Sequence, residues 1–444
     1  MKRHHIKWAV LAAGTVAATT CTTNVQGQAV DSLLDKLVDK GILTAREAND
    51  LRTEADKDFG KAYAAKSGMP DWVTAFKING DFRARMEGFS FDNGNFTDRL
   101  RYRYRLRLGA VAVIRDDLEV GLRLTSSDTA GGFTNGDPIS GNTTLRDNGA
   151  KKFVFIDLAY GKYTPLNLKG LTDSIVLGKM ENPFLLSDMV FDQDYTPEGI
   201  ANTFSAALSD DHTLKLNLGA FVLDEIANSA KDPYLLGAQL RWDAKWTGVF
   251  SSSVGLSAFS VGNVQSLESA AVPNVQAGNS RNAGGDVIYH FNPIVADAAV
   301  TATLPSAPLY NGPFPIRVYG EYMHNPAAPV QNSAFMAGVA FGKTGKKGTY
   351  LLDYRYKYLE ANSWYEELVD SDYGAVYPTA LANSGIAAGY GAGTNVKGHV
   401  VRAGYSPFDA LTLQGSVWMT QLVKNNAAGE TGAVRFQVDA NWKF

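Results

Sequence analysis

A strict two-residue alternation governs residues 99–108, whose sequence is RLRYRYRLRL. Successive side chains of a β-strand point to opposite faces, so one face of this segment carries only arginine and the other only leucine and tyrosine. The arginines are Arg99, Arg101, Arg103, Arg105 and Arg107. Such a strand predicts a boundary between water and an apolar phase.

The same alternation extends from residue 76 to the C-terminus. It is clear in FKINGDFRARMEG, LKLNLGAFV, YLLGAQLRWDAKW, YLLDYRYKYLE and LTLQGSVWMTQL. Soluble sandwiches also alternate, but several of these segments reach the length that crosses a bilayer at a tilt, about 9–11 residues. Short turns such as RDD and WTG tend to alternate with long loops such as 125–151 and 361–396, as in outer-membrane barrels. The pattern favours an antiparallel transmembrane β-barrel over residues 76–444.

The number of strands follows from parity. Both ends of such a barrel lie on the periplasmic side, so the number must be even. Seventeen segments alternate: 76–89, 97–114, 117–126, 152–163, 173–180, 199–208, 212–223, 233–246, 249–260, 284–291, 294–303, 314–324, 333–342, 348–360, 397–406, 409–422 and 431–444. If 284–303 is one strand with Pro293 at an irregular point, the count is 16, which we expect. A strand hidden in 361–396 would instead give 18.

The N-terminus resembles a secretory signal peptide, predicted over residues 1–29. Basic residues precede a short apolar run at 8–18, and GQA at 27–29 offers small residues for cleavage. The run is too short to span a bilayer. Cys21 is the one cysteine of the chain, which leaves a lipoprotein as the alternative. Cleavage after residue 29 would leave a mature protein without disulfides.

Residues 30–58 form the one clearly helical stretch. Leucine and valine recur at helical spacing around 33–38, Gly41 interrupts the pattern, and TARE at 44–47 is a capping box for a second helix. We predict a periplasmic helical segment, followed by a linker at 59–75. This segment either associates with itself or contacts the cell wall or another periplasmic partner, or it is a solvated helical hairpin without a partner.

Composition and motifs exclude several classes of function. A formal net charge of −3 argues against a nucleic-acid partner. HExxH, GxSxG and nucleotide-binding fingerprints are missing from the sequence, and the acids of DQD at 192–194 are too few for an EF-hand. His399 shares the lipid-facing parity of its strand. We therefore predict no catalytic residue, no metal site and no cofactor.

The arginines of the opening segment are expected to face the barrel lumen. An arginine or lysine facing lipid at the bilayer midplane costs about 2–4 kcal/mol, and five would be prohibitive. Arg83, Arg85 and Arg123 on the neighbouring strands share this inward parity. Together the eight side chains form what we call the arginine wall. It either attracts anions and creates a field at a constriction, or only keeps a lumen of 16 strands wet.

Residues 177–200, LGKMENPFLLSDMVFDQDYTPEGI, are rich in acids and form the third outer loop of the 16-stranded scheme. GKMENPF followed by DQDYTPEG resembles the bacterial putative porin family of the Gram-negative outer membrane. The resemblance implies a loop folded into the barrel, with acids opposing Arg101 to Arg107. Those acids are Asp188, Asp192, Asp194 and Glu198. The sequence lacks the PEFGG tip of classical general porins, which leaves the path of the loop open.

The final strand, VRFQVDANWKF, is similar to the C-terminal assembly signal of outer-membrane barrels. Trp442 and Phe444 are the last two of its three aromatic residues. The resemblance implies recognition by the barrel-assembly machinery and a homotrimer in outer-membrane lipid.

These observations predict a porin that passes small hydrophilic solutes and ions by passive diffusion. Two alternatives remain. One is a substrate-specific anion channel of the phosphate type, in which the arginine wall binds ions in sequence. The other is a non-conducting barrel that acts as an adhesin or a cell-wall anchor through residues 30–58.

Overall fold

The computed structural model describes residues 70, 72–115, 117–129, 135–268, 277–380, 387–425 and 428–444. The predicted signal peptide, the helical segment 30–58 and most of the linker lie outside these residues. Within the described ranges, no helix has the length and hydropathy needed to cross a membrane.

Sixteen long antiparallel strands form one closed sheet. They are β1 (Val73–Phe91), β2 (Arg99–Ile114), β3 (Leu118–Ser126), β4 (Val154–Leu168), β5 (Leu171–Lys179), β6 (Glu198–Ala207), β7 (His212–Val222), β8 (Tyr234–Lys245), β9 (Phe250–Gly262), β10 (Ile294–Leu304), β11 (Phe314–His324), β12 (Ser333–Gly342), β13 (Thr349–Leu359), β14 (Val396–Phe408), β15 (Leu411–Leu422) and β16 (Ala433–Lys443). The two-residue strand Thr143–Thr144 adds a short pairing to β2. The predicted antiparallel 16-stranded barrel is confirmed.

The barrel closes where its last strand pairs with its first. The register of β1 with β16 runs from Asp81 opposite Lys443 to Phe91 opposite Ala433. Each of the remaining strands pairs with the strand before it and the strand after it in the chain. Closure leaves the sheet without an open edge, which a barrel in lipid requires.

The connections differ in length at the two ends of the barrel. One end has short turns, such as 169–170 between β4 and β5 and 409–410 between β14 and β15. The other end carries the long loops, of which four are named here: L2 (127–153), L3 (180–197), L5 (263–293) and L7 (360–395). L7 contains a small hairpin that pairs Gly374–Tyr377 with Gly389–Ala392.

The alternation of the sequence maps onto the two faces of the wall. On β2, Leu100 and Tyr102 are 54% and 51% exposed on the outer face. Arg103 and Arg105, at the alternate positions of the same strand, are 8% and 6% exposed and lie inside. The strand forms because each face meets the medium that its side chains prefer, lipid outside and a polar lumen inside.

One predicted strand is not a strand. Residues 284–291 belong to L5, and β10 begins after Pro293, at Ile294. Their alternation of apolar and polar residues suggested a wall strand, but Val287 and Phe291 are buried inside the barrel, where Phe291 packs against Trp364 of L7. The 16 strands therefore arise because this segment is a loop, and not because it merges with β10.

An apolar core lies inside the lumen, where L3 and L7 pack on the inner wall. Phe184 of L3 meets Phe259 of β9 edge to face, with ring centroids 5.0 Å apart. The indole nitrogen of Trp364 in L7 donates a hydrogen bond to the carbonyl of Val190 in L3, at 2.8 Å. The amide of Asp192 donates to the carbonyl of Leu368, at 2.7 Å. The two loops are thus one packed body within the barrel.

Candidate pore constriction

The arginine wall is matched by carboxylates on the barrel itself. Asp81 of β1 accepts hydrogen bonds from Arg105 at 2.9 Å and from Arg107 at 2.7 Å. Arg85 makes two bonds with the carboxylate of Asp439 on β16, at 2.7 and 2.8 Å. Each arginine fits a carboxylate because its planar fork presents parallel N–H donors.

Further along the wall, buried Glu87 is shared by several cations. It pairs with Arg101, and with Arg435 of β16, whose Nε lies 2.9 Å away. Arg103 approaches it to 3.8 Å and donates to the carbonyl of Asn142 in L2, at 3.1 Å. Glu87 is completely buried, and a buried carboxylate without such cations would be very costly.

The remaining members of the wall lie at its edges. Arg123 of β3 pairs with Asp157 of β4 and with Glu181 of L3. Arg83 donates to the side chain of Asn142, at 2.7 Å. Arg99 is exposed at the long-loop end of β2.

Of the four acids expected to oppose the arginine wall, Asp194 lies against it. Its carboxylate lies 2.8 Å from Nη1 of Arg105, 3.5 Å from Arg107 and 4.0 Å from Arg83. Burial by itself would raise the pKa of Asp194, but the positive charges of these three arginines outweigh it and lower the pKa well below its usual range. The side chain is therefore ionised at neutral pH.

Asp188 lies elsewhere, against cations of β13 and β14. It binds Arg355 and Lys357 of β13 at 2.5 and 3.1 Å, and Arg402 of β14 at 3.2 Å. We expected it to face Arg101 to Arg107. It does not, because L3 crosses the lumen and its first half packs on the far side. Burial opposes ionisation, but the three cations lower the pKa of Asp188 strongly.

Asp192 is buried between L3 and L7. Its carboxylate accepts hydrogen bonds from the backbone amides of Asp194 and Ser371, both at 2.9 Å. Burial, and then the nearby carboxylates of Asp370 and Asp194, raise the pKa of Asp192 well above its usual value. This side chain joins the two loops and does not face the arginine wall.

Glu198 lies at the start of β6, at the edge of the interior. Its carboxylate pairs with Lys179 of β5 at 3.0 Å and is 65% exposed. It borders a separate cavity with residues of L2, L3 and L7. The expected opposition to the arginine wall is not found for Glu198.

Three cavities follow one another through the lumen. The first, of about 350 Å³, lies at the long-loop end beside Arg99 and Arg101. The second, of about 430 Å³, lies between the arginine wall and the acids of L3 and L7, and shares Ser140, Ser371 and Asp372 with the first. The third, of about 750 Å³, reaches the short-turn end near Lys343 and shares Gln193 and Arg402 with the second. We call the second cavity the constriction.

Charges of both signs line the constriction in nearly equal number. Its cations are Arg83, Arg85, Arg105, Arg107, Arg123 and Arg402, and its acids are Glu181, Asp188, Asp192, Asp194, Asp370, Asp372 and Asp439. With low-dielectric protein around them, separated charges of opposite sign produce a strong local field across such a space.

Sequence reasoning missed the half of the constriction that L7 and the last strands provide. Asp370 and Lys357 form an ion pair of 2.8 Å that holds L7 on β13, and Trp418 of β15 lines the cavity. The segment YLLDYRYKYLE alternates, and its inward positions place Arg355 and Lys357 in the lumen. Reading both parities of that segment would have found them.

The two residues of the predicted assembly signal lie at the closing seam. Phe444 exchanges backbone hydrogen bonds with Gly80 of β1, at 2.9 and 3.1 Å. The ring of Trp442 lies 5.6 Å from that of Phe82. Both side chains are on the outer face of the barrel, 39% and 63% exposed.

His399 lies on the outer face among tyrosines. Its Nδ1 is 2.9 Å from the hydroxyl of Tyr354, and its ring stacks on the same tyrosine. This is the surrounding expected for a side chain in an aromatic girdle.

Comparison with known proteins identifies a family for part of the chain. Residues 95–287 match the family model described as "Putative porin". Curated proteins provide no match.

Solved structures with similar folds include a loop L8 deletion mutant of OmpT, an outer membrane protein of Vibrio cholerae. It is 11% identical, the match covers 83% of this chain and 99% of that chain, and the TM-score is 0.46. A mutant of Rh. blastica porin is 10% identical over 83% of this chain and 100% of that one, with a TM-score of 0.42.

The matched segment runs from the start of the arginine wall, through L3, into L5. A closed 16-stranded barrel and this match together support an outer-membrane channel in general. The resemblance to the bacterial putative porin family is thus confirmed over residues 95–287.

Proposed function

We propose that this chain is an outer-membrane porin that passes small hydrophilic solutes and ions by passive diffusion. The observation that carries the proposal is the series of three adjoining cavities, from the long-loop end to the short-turn end. Sixteen strands enclose a lumen too wide for wall side chains to fill, and here L3 and L7 narrow it. The long-loop end is the outer end in this proposal.

Selectivity in this channel depends on the constriction, whose lining includes Asp194 and the arginines that it contacts, Arg105 and Arg107. A solute with separated charges can align with the field of the cations and acids that line this cavity. An apolar solute would lose its contacts with water and gain none from the wall.

The ion pairs of the arginine wall favour general diffusion over a phosphate-type channel. Arg101 is bound to Glu87, and Arg105 and Arg107 are bound to Asp81 and Asp194. An arginine wall that bound an anion at one guanidinium after another would need those hydrogen-bond donors to be free. Here the carboxylates of the protein occupy them.

Planar-bilayer recording of the purified protein tests the proposal. Stepwise conductance is expected, and a silent bilayer would overturn it in favour of a non-conducting anchor. Ser371 lies at the junction of the first two cavities, so Ser371→Trp should lower single-channel conductance. Ser229→Trp, at an exposed position in the loop between β7 and β8, is the matched control and should conduct normally.

Two further features complete the proposal. Residues 1–29 are a cleaved signal peptide, and N-terminal sequencing of protein from the outer membrane should begin near residue 30. The barrels associate as a homotrimer after insertion by the barrel-assembly machinery. Native mass spectrometry in detergent should show three chains, and a monomer would refute the trimer.

A further inference from the structure

The inner face of β1 changes character near the long-loop end. Its inward side chains are charged at Arg83, Arg85 and Glu87, but the next two are Phe89 and Phe91. Both rings contact Tyr390 of the L7 hairpin, with centroid separations of 5.2 and 6.0 Å. Other inward apolar side chains at this end are buried in the core under L3 and L7, whereas these three rings also line a cavity.

The first of the three cavities, of about 350 Å³, lies beside this cluster. We call it the aromatic pocket. Besides the three rings it is lined by four arginines: Arg99, Arg101 and Arg103 of β2 and Arg435 of β16. Arg101 and Arg435 already lie over the ring of Phe89, at 5.4 and 5.0 Å from its centroid. The pocket thus combines π faces with guanidinium groups.

Two of these arginines retain donors that the protein does not use. Arg99 makes no salt bridge to any residue of the described ranges and is exposed to the cavity. Arg103 donates one hydrogen bond to the described residues, from Nη2 to the carbonyl of Asn142, and its Nη1 lies 3.8 Å from Glu87, beyond hydrogen-bond distance. Arg101 and Arg435, in contrast, are bound to Glu87. Guanidinium donors left free at a cavity can bind a ligand carboxylate.

We propose that the aromatic pocket binds arene carboxylates, planar aromatic rings that carry one carboxylate group. The ring packs against Phe89, Phe91 and Tyr390, and the carboxylate accepts hydrogen bonds from Arg99 and Arg103. This inference rests on the proposed channel function, to which it adds a solute class captured before the constriction.

Both halves of the ligand are needed for the fit. An aliphatic carboxylate would satisfy the arginines but leave the rings facing water. A neutral arene would cover the rings but leave the guanidinium donors unsatisfied. Benzoate, acetate and benzyl alcohol are therefore the probes that distinguish a site for arene carboxylates from a general anion site and from an apolar surface.

Isothermal titration calorimetry of the full chain in detergent micelles tests the pocket directly. We expect benzoate to bind about tenfold more tightly than acetate or benzyl alcohol. Arg99→Gln and Phe91→Leu should each weaken benzoate binding by about fivefold or more, and Phe91→Leu should leave acetate binding unchanged. Arg146→Gln removes an exposed cation of L2 that lies outside the pocket and should have no effect.

The other outcomes overturn the inference. Equal binding of acetate and benzoate, or equal effects of Arg99→Gln and Arg146→Gln, would show that the pocket does not recognise arene carboxylates. Bilayer recordings on the same preparation keep this result separate from the channel proposal. A conducting protein without benzoate binding loses only the pocket. A silent protein whose benzoate binding depends on Arg99 and Phe91 loses the channel function and keeps the site.

Discussion

Removing the charge of Asp194 should make the channel more selective for anions. Asp194→Asn keeps the shape of the side chain but leaves Arg83, Arg105 and Arg107 with one negative charge fewer. A sphere with the volume of the constriction, about 430 Å³, has a radius of roughly 5 Å, so a passing ion stays within about 6 Å of this side chain.

The size of the effect follows from Coulomb's law. One unit charge at about 6 Å in water is worth roughly 0.7 kcal/mol, and screening at physiological salt reduces this to roughly 0.3 kcal/mol. Anions gain this energy and cations lose it. The ratio of anion to cation permeability should therefore rise by about threefold to tenfold.

The measurement is the reversal potential in a salt gradient across a planar bilayer. Glu198→Gln is the matched control because Glu198 pairs with Lys179 away from the constriction, and it should leave the potential unchanged. Arg105→Gln should shift the potential in the opposite direction. Heat-modifiable mobility on gels verifies that each variant is folded. An unchanged reversal potential in folded Asp194→Asn would refute a pathway between L3 and the arginine wall.

Three other perturbations test the interior and the seam. Asp188→Asn removes the counter-charge of buried Lys357 and of the two arginines beside it. It should destabilise the docking of L3 on the barrel wall by about 3–5 kcal/mol, which would be measured as faster amide hydrogen exchange in L3. An unchanged exchange rate would contradict this expectation. Asp137 of L2 lines the aromatic pocket, and burial raises its pKa to about 7. Anion selectivity should therefore rise as the pH falls from about 8 to about 6, and Asp137→Asn should abolish that dependence. Since a raised pKa means that the folded protein holds this proton more tightly, the stability from this group is complete below the unfolded pKa of about 3.9 and is lost as the pH rises through about 7. Gly80→Ala would place a Cβ 2.6 Å from the carbonyl oxygen of Arg107 and should lower the free energy of unfolding of the barrel, measured by urea titration, by about 1–3 kcal/mol. Gly415→Ala has open space around the added Cβ and should leave that free energy unchanged.

The loop 284–291 shows where pattern reasoning on this chain failed. Its alternation is real, but Val287 and Phe291 face the interior core and not lipid. A two-residue alternation indicates that one face of the segment is apolar. It does not identify the surroundings that this face contacts. A second signal was present in the strands themselves. Inward positions at the long-loop end are apolar at Phe221, Leu235 and Met323, which marks the wall where L3 and L7 pack.

The sequence by itself determined the antiparallel barrel and the face of each strand, whereas its count of 16 strands rested on a merger over 284–303 that the structure does not contain. Alternation is local, and a charged face in lipid is so costly that one parity must point inward. Only the tertiary structure decided that Asp194 contacts the arginine wall while Asp188 contacts Arg355 of β13, and that L7 shares the lumen with L3. Loops have no period. Their paths depend on long-range packing and on pairing each buried charge with a partner that can lie hundreds of residues away.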